Sequence, residues 1–178
     1  MNTRLNTLFN ALERERVILL EKIKKLSPEQ FHNTPTGRWS VEQILAHIIA
    51  GERLSILYLN KKMLGLNEAE NSGPVEELKM VILKLSQQLP FKFKAPSMIV
   101  ENTPSYQSLN DLIADWDNTR LELKVVLEKF RDDQIKKKVY RHVRAGLLNI
   151  RHALLFFREH IIHHTPQIKR LINTKIPQ

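Results

Sequence analysis

Apolar residues recur at helical spacing through most of the chain, and five segments carry that period. The first runs from about Thr3 to Leu26. Leu5, Leu8, Phe9, Leu12, Leu19, Leu20, Ile23 and Leu26 form its stripe, charged residues fill the rest, and Ser27-Pro28 ends it. The second has the clearest start. Ser40 can cap the backbone N–H of Gln43, whose side chain can reach back to Ser40, with Trp39 and Ile44 placed as a hydrophobic staple. This helix is expected to reach Leu64 and stop at Gly65.

A shorter helix is predicted from Pro74 to about Leu89, on Val75, Leu78, Ile82, Leu85 and Leu89. Pro90, Pro96 and Pro104 argue against regular helix as far as Gln107, so this stretch reads as a loop that covers or binds something. The fourth helix starts at Ser108, with Leu109, Leu112, Trp116, Thr119, Leu123, Val126 and Phe130 on one face. A basic connection broken by Gly146 follows. The last helix, about Leu147 to Ile172, has a regular seam of Leu147, Ile150, Leu154, Phe157, Ile161, His164, Ile168 and Leu171. No segment alternates convincingly as a strand, and there is no internal repeat. The expected fold is all-α: an antiparallel, up-down four-helix bundle with one additional short helix, as a single domain over residues 1–178.

Composition narrows the chemistry. With no Cys, disulfides, thiolate metal sites and a cysteine nucleophile are excluded. No uncharged apolar run reaches the ~18 residues of a membrane span, and the N-terminus lacks a signal-peptide core, so a cytoplasmic protein is expected. The net charge of +9 attracts anions. Its densest source is Arg131, Lys136, Lys137, Lys138, Arg141, Arg144 and Arg151, read first as a solvated loop and helix start, and alternatively as an anion-attracting rim. Without a finger spacing or an RNP-type aromatic run, nucleic acid is not an expected partner. Phosphate-cradling and serine-hydrolase motifs are also missing.

Histidine placement is the informative signal. His164 lies in the seam of the last helix, and His160 is one turn earlier, about 40° away around the axis. His163 is about 100° from His164, on a flank with His152. His47 holds a comparable core-facing place on the second helix, with Gly51 one turn on leaving space beside it. An unpaired imbedded imidazole is costly, so such rings need partners. One His facing a His-x-x-x-His pair offers three nitrogens to zinc, nickel or ferrous iron and leaves positions open. Such an ion can bring the pKa of a bound water toward about 7. The bland alternative is three ordinary histidines satisfied by neighbouring side chains. The site is not an HExxH motif, because Ile161 follows His160.

The stretches RWSVEQILAHIIAGERL and EHIIHHTPQIKRL together resemble the DinB/YfiT-like superfamily, a group read as metalloenzymes. Through that resemblance His47, His160 and His164 match the three metal-ligand positions. His163 matches an adjacent histidine that is not usually a ligand, and Gln167 a trailing glutamine that is structural or supports a ligand. Thr165-Pro166 departs from the family's Arg-Gly, and Pro166 removes the donor for the carbonyl of Ile162. The resemblance implies a divalent metal ion as cofactor and a small-molecule substrate. It implies a metal-dependent hydrolase, or a thiol-dependent S-transferase with a low-molecular-weight thiol as cosubstrate, in a homodimer. The competing reading is a non-catalytic stress or interaction bundle with a structural or degenerate metal site. Smaller expectations concern the surroundings. Trp39 is read as an anchor of the helix start, with a pocket role second. Asp115 and Asp117 are candidates to accept from a ligand imidazole. Glu52 and Glu159 are expected to miss the ion, Glu159 facing solvent, and Tyr58 and Tyr106 to line a pocket mouth. Val17 and Ile18 lie off the first helix's stripe.

Overall fold

A computed structural model describes residues 1–34, 37–88 and 97–173. Seven helices account for most of it: α1 Thr3–Ile23, α2 Pro28–His32, α3 Val41–Lys62, α4 Pro74–Gln88, α5 Ser97–Glu101, α6 Leu109–Glu128 and α7 Ile150–Asn173. Helix α7 packs on α1, α3 and α4, and α3 packs on α6. Leu5, Leu12, Leu45, Ile48, Trp116, Leu123, Phe157 and Ile161 fill the core between them.

Local chemistry sets the helix boundaries. Ser40 Oγ accepts from Gln43 N at 3.1 Å and Gln43 Oε1 accepts from Ser40 N at 3.0 Å, the reciprocal box expected for α3. Helix α1 ends at Ile23, short of the expected Leu26, and Ser27-Pro28 starts a new helix: Ser27 and Gln30 form a second capping box on the short α2, which the pattern does not reveal. Helix α3 ends in a single 3-10 turn, Met63–Gly65. The proline-rich stretch after α4 contains the five-residue helix α5, while the part over residues 89–96 lies outside the described residues.

One expectation fails outright. The basic connection holds a two-stranded antiparallel hairpin, β1 Lys138–His142 and β2 Gly146–Asn149. Its alternation is hidden because the register shifts between Lys138 and Tyr140, and Val139 and Tyr140 are consecutively buried. Gly146, at φ +72°, supplies the left-handed residue that closes the turn, so its role is to form the hairpin. Leu147 therefore belongs to β2, and α7 starts at Ile150, where Asn149 Oδ1 accepts from His152 N at 3.0 Å. Beyond that start the seam is as expected: Ile150, Leu154, Phe157, Ile161, His164 and Ile168 are buried. Pro166 does not end α7; the helix continues to Asn173, and Thr165 Oγ1 donates to the carbonyl of Ile161 at 2.8 Å.

Inside the core, α1, α3 and α6 share a charged network. Glu52, fully buried, accepts from Trp116 Nε1 at 3.0 Å and from Arg120 Nη2 at 2.8 Å, and Arg120 Nε lies 3.0 Å from Glu13 Oε1. Burial pushes the Glu52 carboxyl up, opposed by the Arg120 charge and the Trp116 bond. Taking one partner away strands a charge in low dielectric. Arg120→Ala is therefore expected to cost about 3–5 kcal/mol of stability, against about 1 kcal/mol for Ser40→Ala, by urea unfolding monitored by circular dichroism. Equal losses for the two variants would contradict this account.

Candidate metal centre

The three histidines singled out by spacing come together where α3 faces α7. One nitrogen from each of His47, His160 and His164 lies within 4.8 Å of the others. His160 and His164 approach most closely, Nε2 to Nε2 at 3.0 Å, and the His47 ring centroid is 5.1 and 5.3 Å from theirs. Two imidazole ligands of a tetrahedral ion with bonds of about 2.0–2.1 Å have nitrogens roughly 3.3 Å apart, so the α7 pair is already near ligand spacing. One ring nitrogen is also left over: His47 Nδ1 is buried and has no hydrogen-bond partner among the described residues. Gly51 lines the space beside the cluster, and a Cβ there would make ordinary van der Waals contact with His160 Cε1 at 4.0 Å. Three imidazole nitrogens, on rings of which one has an unpartnered buried atom, fit a divalent cation of borderline softness.

Burial keeps these rings neutral. It pushes His47 down to about 4, with the His163 charge adding to the effect. Burial and then the His47 charge push His164 down to about 3. His160 falls well below the ordinary histidine value, by burial and the charges of its three histidine neighbours His164, His47 and His163, with His142 adding to them. Protons therefore do not compete for these nitrogens at neutral pH.

A hydrogen-bonded chain selects the tautomer of His164. His163 Nδ1 donates to the backbone carbonyl of Gln87 at 2.6 Å, which leaves its Nε2 to accept from the Gln167 amide at 3.5 Å. Gln167 thereby turns its Oε1 to His164 Nδ1, 3.1 Å away, which donates. The lone pair of His164 falls on Nε2, the atom aimed into the cluster. His163, off the ligand face as expected, thus acts through Gln167, a link that helical spacing does not reveal.

The cluster opens into a cavity of about 580 Å³. Trp39, Leu54, Tyr58, Leu83, Tyr140 and Phe156 contribute most of its apolar wall, with Met98 and Ile99 of α5 also on it. The volume suits a small organic molecule. Trp39 takes the pocket role placed second in sequence: its ring is half-exposed and tilted over His47 at 5.1 Å. Tyr140, on the unforeseen hairpin, is a further wall residue, raised above the ordinary phenol range by burial.

Other expectations are corrected. Asp115 pairs with Arg53 and accepts from the Tyr106 hydroxyl, and Asp117 pairs with Arg16, so neither carboxylate supports an imidazole. Tyr106 is consequently off the cavity lining, whereas Tyr58 is on it. Glu52 misses the cluster, as its angle required. Glu159 does not face solvent: it is buried beneath α4, with Lys84 Nζ at 3.5 Å. The basic rim is largely spent on structure. Arg131 pairs with Asp133, Lys137 donates to the carbonyls of Asn67 and Ala69, Lys138 pairs with Glu70 and Glu76, and Arg151 with Glu77. Of the seven cations, Arg141 and Arg144 border the cavity.

A family model described as the DinB superfamily matches residues 11–168. No curated protein and no solved structure matches the chain. No helix among the described residues is long and apolar enough to cross a membrane.

The neutral rings make stability depend on pH in a definite sense. The unfolded chain protonates each histidine near 6.5, while folded His47 and His164 wait until about 4 and 3. Stability is therefore complete above about 6.5 and falls with pH below it, by roughly 1.4 kcal/mol per pH unit for each such ring. Urea unfolding of metal-free protein at several pH values should show a flatter decline for the combined His47→Asn, His160→Asn, His164→Asn variant than for the wild type. Parallel curves would mean that the rings are not held neutral.

Proposed function

The chain belongs to the DinB superfamily, and we propose that it is a metal-dependent enzyme whose His47, His160 and His164 hold a divalent ion at one end of the cavity. The observation that carries the reading is the convergence of three neutral imidazoles, one with an orphaned buried nitrogen, beside a space large enough for a substrate. A purely structural ion needs no such space. When bound, the ion supplies Lewis acidity and lowers the pKa of a water or thiol.

The chain's own residues define what enters. The wall of Trp39, Tyr58, Leu83 and Phe156 selects a small molecule with an apolar or aromatic body. Its reacting centre is an electrophile turned toward the three histidines. The reaction is hydrolysis or transfer to a low-molecular-weight thiol, which must arrive as cosubstrate because the chain has no Cys. Arg141 and Arg144 at the border favour an anionic group on substrate or thiol. His163 and Gln167 keep the His164 lone pair pointed inward. Zinc, nickel and ferrous iron all suit the donor set.

The same reading makes the protein a cytoplasmic homodimer. Its support is exposed apolar surface: Val17 and Ile18 on α1, and Val75, Leu78, Ile82 and Leu85 on α4. Sedimentation should find two chains per particle, and a concentration-independent monomer would remove this part.

Elemental analysis of the purified protein tests the centre. One equivalent of zinc, nickel or iron per chain is expected in the wild type. Each single His→Ala variant at the three positions should lose most of it while keeping its helical circular dichroism. Substoichiometric metal in wild-type protein loaded with zinc or nickel would defeat the proposal.

A further inference from the structure

Beside the three-histidine cluster and His163, the cavity is lined by a histidine of the hairpin. His142 is the last residue of β1, on the same strand face as Tyr140, and both line the cavity. Its ring is nearly buried and packs edge-on against Phe156 at 4.5 Å, and Phe156 in turn stacks on His160 at 5.3 Å and 19°. One aromatic ring thus separates His142 from the three-histidine cluster.

The turn dictates which nitrogen carries the proton. The backbone N–H groups of Arg144 and Ala145 both donate to His142 Nδ1, each at 3.3 Å. An atom that accepts from two amides cannot hold a proton, so the neutral ring carries it on Nε2. That Nε2–H has no hydrogen-bond partner among the described residues, and it is not among the buried polar atoms left without one. Burial, reinforced by the Arg144 charge, holds the ring neutral by pushing it down to about 4. A turn cap alone would use Nδ1 and leave the other side of the ring without purpose; any short acceptor side chain serves a cap equally well.

We propose that His142 is a substrate-contacting residue whose Nε2–H donates a hydrogen bond to an oxygen acceptor, of carbonyl, carboxylate or phosphoryl type, on the molecule bound in this cavity. The inference rests on the cavity being the reaction chamber argued above. It assigns the hairpin a task that the metal reading leaves open: the helices hold the ion, and the hairpin presents a fixed neutral donor to the substrate's polar group. Phe156 packs against the His142 ring, and Tyr140 lines the same cavity two residues earlier on β1.

Two substitutions separate contact from capping. In His142→Asn the amide oxygen can still accept from the turn N–H groups, while no donor reaches the position of Nε2. In His142→Gln the longer amide can return a donor near that position at the expense of the cap. Benzamide, an aromatic body with a carbonyl acceptor, and toluene, the same body without one, serve as probes on the full-length chain, zinc-loaded and metal-free. Nitrogen-15 NMR of the imidazoles should show the proton of His142 on Nε2, and benzamide should shift that resonance saturably. His142→Asn should keep the wild-type melting temperature and bind benzamide about tenfold more weakly, with toluene affinity unchanged. His142→Gln should melt lower and recover part of the benzamide affinity. Equal benzamide affinity for wild type and His142→Asn, a proton on Nδ1, or no saturable shift of His142 would each overturn the proposal; should His142→Gln not fold, the Asn variant alone decides. Failure of the metal centre would appear separately, as missing zinc in wild-type protein, and leaves the metal-free comparison intact.

Discussion

Desolvation of three imidazoles at the α3–α7 contact is the constraint around which the molecule is arranged. Each ring in isolation would be a polar group buried at a cost of several kcal/mol. Together they satisfy one another in part, through the bond between His160 and His164, and leave His47 Nδ1 unanswered. Such a residue of unmet valence is tolerated only where something compensates for it. The apolar faces of α3 and α7 are continuous above and below the cluster, so the helices could have closed over it with aliphatic side chains. The small residues Gly51 and Ser55 instead line the cavity beside it.

Aim matters as much as composition. His47 and Glu52 are five residues apart on α3, about 140° around the axis, so α3 presents polar groups in two directions at once. The Glu52 side is locked to Trp116 and Arg120 of α6, and Arg120 is locked to Glu13 of α1. A buried ionic network is weak evidence for net stability, but it discriminates strongly against rotation, because any turn of α3 would strand a charge. The register that keeps His47 facing α7 is thus held from the far side of the helix.

What the sequence made legible follows from what periodicity can encode. The helices of α1, α3, α6 and α7 are long enough for a stripe to emerge, and the Ser40–Gln43 box marked the start of α3 by chemistry alone. The three histidines were found because His160 and His164 share one helix face and His47 lies in an apolar run. Long-range pairing is invisible to such patterns. Nothing local says that Asp115 goes to Arg53, or that α4 covers the flank of α7 where His152, Glu159 and His163 meet Glu77, Lys84 and Gln87. Those residues look solvent-facing only because a charged flank and a covered flank read alike. The hairpin escaped for a different reason: five and four residues with a register shift carry too few alternations to stand out, and their cations suggested a solvated loop.

The hairpin also changes how the cavity should be understood. A bundle of helices offers a site with side chains that all project at helical intervals, which suits the convergent ligation of one ion but gives little freedom to place a further polar group elsewhere on the cavity lining. A strand solves that problem, because alternate residues face the same way at about 6.5–7 Å intervals regardless of where the helices stand. Tyr140 and His142 use this spacing to form one wall, while Arg141 between them turns outward to the rim. The positive φ of Gly146 fixes the turn, the turn amides fix the His142 ring, and the ring meets Phe156, less than two turns into α7 from its start at Ile150. Helices and hairpin are therefore joined covalently at Asn149 and through packing at Phe156. A site with polar groups fixed on two separate elements around an apolar space discriminates by the distance between a ligand's two polar ends as well as by its bulk.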